Sequence, residues 1–282
     1  MTTRTGPRET RLRRLYRHSP SGLLVTPLDH TLACGPVTRP GRSLDDLVAA
    51  LAAGGSDAVV LHKGAVRHVA PEHLAAVGLV LHLNGSTASA PDPDAKVLLT
   101  SVEEALRLGA DAVSVHVNLG SRTEADQLRD LAAVADACER WQLPLLVMAY
   151  PRGPGVIDPT DPDLLLRAVT VAHDLGADLV KTSAPRDTAT TRDLVASCPV
   201  PLLLAGGPPR EDERRLLADV RRAVAAGVGG LAMGRALFGA ADPRRTTACV
   251  AALIHRRPGL VASPHPIEEG KTHVDDDQAV LA

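Results

Sequence analysis

The chain has 282 residues, enough for one large α/β domain with a sizeable core. Its formal net charge of -2 argues against general nucleic-acid binding, and no apolar run is long enough to span a bilayer. The core must be aliphatic, because the aromatic complement is only Trp141, Tyr16, Tyr150 and Phe238.

In chain order, a basic start from Arg4 to Arg17 comes first, with no apolar signal-type run after it. A short helix over Arg8–Arg17 is expected to cap the bottom of the domain. Eight apolar, β-branched runs follow: Leu23–Leu28, Ala58–Leu61, Leu79–Leu83, Ala112–Val117, Leu145–Ala149, Leu179–Thr182, Leu202–Ala205 and Gly230–Met233. Amphipathic stretches lie between them, among them Leu44–Ala53, Glu124–Trp141, Leu164–Leu175 and Glu211–Ala226. Several joints repeat one phrase, as in Leu108-Gly109-Ala110-Asp111 and Leu175-Gly176-Ala177-Asp178. Glycine there ends a helix in a left-handed conformation and a buried strand starts soon after. Eight such units predict a closed (β/α)8 TIM barrel, an α/β single domain, with an open doubly wound sheet as the alternative. The expected boundaries are a basic cap over 1–20, the barrel over 21–257 and a mobile tail over 258–282. Four dispersed cysteines (Cys34, Cys138, Cys198, Cys249) show neither metal-ligand nor disulfide spacing and are expected as small core residues. A soluble cytoplasmic protein is the default expectation.

Lys181 stands out. The chain is rich in arginine, and its only other lysines are Lys63, Lys96 and Lys271. Arginine supplies a permanent charge, whereas a buried lysine amine loses its proton and attacks carbon. Barrel enzymes place such groups at the C-terminal ends of strands. Those positions hold Asp29 and His30, His62 and Lys63, His82 and Asn84, His116 and Asn118, Tyr150 and Arg152, then Lys181. A neutral amine at Lys181 converts a ketone into an iminium and then an enamine. Tyr150, one strand away, and Asp29 are the candidate proton-transfer partners. Lys63 is a rival amine, ranked second because it follows His62 and so points off the barrel axis. The last two strands end in Gly206-Gly207-Pro208 and Gly234-Arg235. Glycines there let backbone N–H groups reach a phosphate, and Arg235 adds charge. The bland alternatives are a salt bridge for Lys181, a core ring for Tyr150, a cap for Asp29 and plain turns for the glycines.

Taken together, Val25-Thr26-Pro27-Leu28-Asp29-His30, His62-Lys63-Gly64, Ser114-Val115-His116-Val117-Asn118, Tyr150-Pro151-Arg152-Gly153, Val180-Lys181-Thr182, Ala205-Gly206-Gly207-Pro208 and Met233-Gly234-Arg235 carry a family resemblance. The chain resembles the archaeal-type class I aldolases from about Arg11 to Ile254. Within them it is most similar to synthases that join L-aspartate 4-semialdehyde to dihydroxyacetone phosphate or a ketose phosphate. The resemblance implies Lys181 as Schiff-base lysine, Asp29 and Tyr150 as acid/base pair, no metal or other cofactor, and a large homo-oligomer, often a decamer. It implies a seven-carbon amino-keto acid phosphate as product, which in similar proteins feeds 3-amino-4-hydroxybenzoate formation in secondary metabolism. An amino-acid acceptor needs a cation for its carboxylate; Arg152, Arg186 and Arg122 are the candidates. Two segments depart from the family. An aromatic, Thr, Gly and Asp often follow the Lys-Thr pair, where this chain has Ser183-Ala184-Pro185-Arg186-Asp187; Ala236 and Gly239 replace the usual Asn and Gln. The alternatives are a 6-deoxy-5-ketohexose phosphate donor, fructose 1,6-bisphosphate cleavage, or a phosphometabolite-binding barrel without catalysis.

Overall fold

A computed structural model describes residues 6–38, 40–207 and 212–255. The strands are β1 (Leu23–Pro27), β2 (Ala58–Leu61), β3 (Gly78–His82), β4 (Ala112–Leu119), β5 (Leu145–Pro151), β6 (Leu179–Thr182), β7 (Leu202–Ala205) and β8 (Gly230–Ala232). Each pairs in parallel with its sequence neighbours, and β1 closes on β8 through Leu23–Gly230, Leu24–Leu231 and Val25–Ala232. The barrel is therefore closed, and the open-sheet alternative is excluded. Beyond the eight strands, a two-stranded antiparallel ribbon, Asn84–Gly85 with Val97–Leu98, rises above the rim between β3 and β4.

Strands and helices form for the reasons written in the sequence. Gly55, Gly109, Gly176 and Gly227 have φ between 76° and 94°, the left-handed conformation their repeated phrase calls for. Ser43 and Asp46 cap each other reciprocally at the start of Leu44–Ala53. Two apolar layers result. Between strands and helices lie side chains such as Leu24, Val59, Leu81, Val115, Leu131 and Leu165. Inside the barrel lie Leu23, Val25, Val60, Val80, Leu146, Leu179 and Leu203, closed from below by Leu15.

The basic N-terminal segment forms helix Pro7–Leu15 beneath the barrel, with Arg8 paired to Glu139 at 2.8 Å and to Asp178 at 3.4 Å. The tail expected over 258–282 lies outside the described residues. Cys138 and Cys198 are buried as expected, but Cys34 is exposed and lines the upper cavity, because it ends a short rim helix, His30–Cys34. Among the described residues no helix is long and apolar enough to cross a membrane.

Candidate active site

Alternate residues of a strand point to opposite faces, so the rows that fill the barrel interior also choose the side chains of its mouth. In β2, Ala58 and Val60 point inward, and the same row continues to His62. In β3 the row is Val80, His82 and Asn84; in β5 it is Leu146, Met148, Tyr150 and Arg152; in β6 it is Leu179, Lys181 and Ser183. Asp29 continues the row of Leu23 and Val25. These groups line a cavity of about 400 Å³ at the C-terminal end of the barrel, a volume suited to small metabolites.

Lys181 lies on the floor, 7% exposed, with Nζ 3.6 Å from Met148 Sδ and 6.0 Å from the centroid of the Tyr150 ring. Thioether sulfur is a weak acceptor, and among the described residues Nζ makes no ion pair. The salt-bridge alternative for this lysine therefore has no partner. Tyr150 is held edge-on by the His116 ring at 4.9 Å, with the Arg152 guanidinium 5.4 Å from its centroid. His116 is fixed in turn by Nε2 against Asn118 Oδ1 at 2.8 Å. Burial, then Lys96, His82 and Arg152, push His116 well below its ordinary pKa, so it is a neutral ring.

Asp29 sits among histidines without a close bond to any of them. Its Oδ2 is 3.8 Å from His82 Nε2, and its Oδ1 is 3.7 Å from His30 Nδ1. Asp29 Oδ1 and His30 Nδ1 are both buried and lack a hydrogen-bond partner. Burial works against the charged form of Asp29, but His82, Lys181, His30 and His62 outweigh it and hold the carboxyl below its usual range. His82 anchors Nδ1 on Ser114 Oγ at 2.8 Å, and burial drives its pKa down to about 4. The result is a carboxylate with an open acceptor, facing the same cavity as an amine and a phenol.

The β7 and β8 ends form the expected glycine-rich wall. Gly206, Gly207, Gly234 and Arg235 all line the cavity, and Arg235 Nη2 donates to Gly207 O at 3.1 Å, tying the two loops. A Cβ on Gly234 would meet Pro27 O at 2.7 Å and His30 Cε1 at 2.9 Å, so the backbone approaches β1 as only glycine allows. The short helix Arg235–Phe238 starts here, and its first amides have no helical partner.

Four candidates fall elsewhere. Lys63 belongs to the outward row of β2 after Val59 and Leu61, and its Nζ donates to Leu99 O at 2.9 Å. Asn118 is fully buried behind His116, where Nδ2 donates to Asp94 O at 2.8 Å; it positions rather than lines. Arg186 pairs with Asp158 at 2.9 Å, while Asp187 caps helix Thr188–Ser197, so the unusual Ser183–Asp187 segment is largely a helix entry; only Ser183 reaches the cavity. Arg122 is exposed and does not line the cavity either. Conversely, Lys96 and Ser86 line the cavity and were not singled out. They lie on the long β3–β4 excursion, which strand-end counting passes over.

The chain is 52% identical over 248 residues to 2-amino-4,5-dihydroxy-6-oxo-7-(phosphonooxy)heptanoate synthase of Streptomyces griseus, across 88% of this chain and 90% of that one. It is 36% identical over 246 residues to 2-amino-3,7-dideoxy-D-threo-hept-6-ulosonate synthase 1 of Archaeoglobus fulgidus, across 86% and 90%. An archaeal fructose-1,6-bisphosphate aldolase, solved with its catalytic Lys covalently bound to the carbinolamine intermediate of the substrate, superposes with a TM-score of 0.80 at 28% identity, covering 87% of this chain and 99% of that one. Residues 23–240 match the DeoC/LacD family aldolases, and the chain belongs to that family of barrel enzymes.

Proposed function

We propose that the protein joins dihydroxyacetone phosphate to L-aspartate 4-semialdehyde, with Lys181 as the nucleophile. The observation that carries this is the unpaired amine of Lys181 on a cavity floor shared with Tyr150 and Asp29. The 52% identity to the heptanoate synthase supports the choice of substrates. Lys181 Nζ adds to the donor carbonyl carbon, and the carbinolamine expels water to give an iminium. Loss of a proton from the hydroxymethyl carbon gives the enamine, which attacks the aldehyde carbon to form the new C–C bond. The resulting alkoxide takes up a proton, and water releases the seven-carbon amino-keto acid phosphate from Lys181. Tyr150 and Asp29 serve the proton transfers, Tyr150 from beside the amine and Asp29 through its open Oδ1. Gly206, Gly207, Gly234 and Arg235 line the phosphate site, with the Gly207 and Gly234 amides and the Arg235 guanidinium as donors, since the Gly206 amide already donates to Ala232 O at 3.0 Å.

Two measurements test this. Mass spectrometry of a reaction with both substrates should show a new phosphorylated seven-carbon product; its absence counts against the substrate pair. Borohydride reduction with dihydroxyacetone phosphate should leave a stable adduct on Lys181 that is missing in Lys181→Ala. Unmodified wild-type protein would sink the aldolase mechanism, whereas the adduct excludes a barrel that merely binds. Competition between dihydroxyacetone phosphate and a 6-deoxy-5-ketohexose phosphate separates the two donors.

A further inference from the structure

The cavity carries more positive charge than one phosphate calls for. Its lining includes Lys96, Arg152, Lys181 and Arg235, against a single carboxylate, Asp29. Arg235 belongs to the glycine wall at β7 and β8. Lys96 stands on the β3–β4 excursion, across the closed barrel from that wall, and Arg152 extends from the end of β5 between them.

Lys96 is held in place. Its Nζ donates to Ser86 Oγ at 2.6 Å and to Pro93 O at 2.7 Å, both neutral acceptors. An ammonium has three donors, so one remains for a ligand. The loop beneath it is pinned to β4 and to helix Glu124–Trp141, because Asp94 O accepts from Asn118 Nδ2 at 2.8 Å and Gln127 Nε2 at 3.0 Å. Burial, and then Arg152, lower the pKa of this amine, against Asp94, Asp92 and Asp29, which raise it. Arg152 stacks on Tyr150, and among the described residues its guanidinium has no carboxylate partner. In a chain with 31 Lys and Arg, of which only four are lysine, an inward, anchored lysine is unusual.

We propose that Lys96 and Arg152 form a second anion subsite, which takes the carboxylate of the acceptor aldehyde on the side of Lys181 away from the phosphate wall. This rests on the function proposed above and adds to it the group that selects the acceptor. The acceptor of the proposed reaction carries one carboxylate and no phosphate. The Lys96 side offers a point charge and a planar fork, and the planar fork can hold that carboxylate through two parallel hydrogen bonds. With the donor's phosphate on one wall and its carbonyl at Lys181, an aldehyde held by a carboxylate three carbons away presents its reacting carbon to the enamine.

Steady-state kinetics on the full chain test the subsite. The donor is dihydroxyacetone phosphate, and the acceptors are L-aspartate 4-semialdehyde, uncharged butanal and D-glyceraldehyde 3-phosphate. Lys96→Met should raise KM for the semialdehyde about 10- to 100-fold, the loss of one charge-assisted contact. KM for dihydroxyacetone phosphate, adduct formation at Lys181 and the use of butanal should stay near wild type, and Lys96→Arg should restore part of the loss. An unchanged KM for the semialdehyde overturns the subsite. So does a variant that fails equally with every acceptor, which marks a structural role. Preferred use of glyceraldehyde 3-phosphate, lost in Lys96→Met, overturns it in favour of a phosphate subsite. If wild type forms the adduct yet condenses it with no acceptor, the proposed function falls separately. Calorimetric titration with L-homoserine, which keeps the carboxylate and replaces the aldehyde by an alcohol, then decides. Weaker binding to Lys96→Met supports the subsite, and equal binding overturns it.

Discussion

The two ends of the barrel each bury a carboxylate among histidines, and the two are treated in opposite ways. At the bottom, Asp57 is fully buried and satisfied: Oδ2 accepts from Leu24 N at 2.7 Å and from His255 Nε2 at 2.8 Å, while Oδ1 accepts from His18 Nδ1 at 2.8 Å. At the top, Asp29 has histidines at 3.7 and 3.8 Å and a buried oxygen without a partner. A buried polar group left open costs stability unless something else fills it, which fits the role proposed for Asp29 beside the substrate. The lower cluster also offers three ligand atoms within 4.8 Å of one another. Its two imidazoles are stacked, 24° from parallel with centroids 5.0 Å apart, so their in-plane lone pairs do not converge on one point. As it stands the cluster is a hydrogen-bonded clamp.

Exchanging the roles of the two carboxylates is the sharpest way to break this contrast. Asp29→Asn should lower kcat by roughly 10²–10⁴ through loss of acid/base function, with little change in Tm. A Tm drop with near-normal turnover would make Asp29 structural. Asp57→Ala should do the reverse, losing about 3 kcal/mol of unfolding free energy in urea titration as the buried Leu24 amide, the half-buried His255 and the exposed His18 lose their shared acceptor. Turnover per folded molecule should remain close to wild type, and a specific collapse of kcat would place the lower clamp in the mechanism.

A smaller effect is expected in the pH dependence of stability. His82 has a folded-state pKa of about 4, below its ordinary 6.5. Its neutral form is favoured by folding, so its contribution is complete above pH 6.5 and is lost as pH falls through about 4. Asp29, also lowered, acts in the same direction at lower pH. Tm of His82→Gln should therefore fall less steeply than wild type between pH 6.5 and pH 4, and parallel curves would refute this origin. The smallest effect belongs to Arg186→Ala. An exposed pair with Asp158, outside the cavity, should be worth at most about 1 kcal/mol, and KM for both substrates should not move.

The fold was legible because strand runs, glycine joints and helix periodicity all pointed to one arrangement. The inward rows were legible too: Lys181, Tyr150 and Asp29 each share a row with apolar barrel residues, and Lys63 follows the opposite row. Lys96 was hidden because its position depends on Asn118 and Gln127 fastening the β3–β4 excursion, a contact across more than twenty residues with no local pattern. Arg186 misled because closeness to Lys181 in sequence does not survive the turn into helix Thr188–Ser197.

The clamp at Asp57 joins residue 18 to residue 255, and β1 finds its second neighbour only in β8. A chain emerging from the ribosome cannot make either contact until nearly all of it has been synthesised. Closure is thus a long-range, late event in folding. The cavity needs both Asp29 and Arg235, from the two sides of that same seam, so partly made chains hold the reactive lysine without a completed site around it.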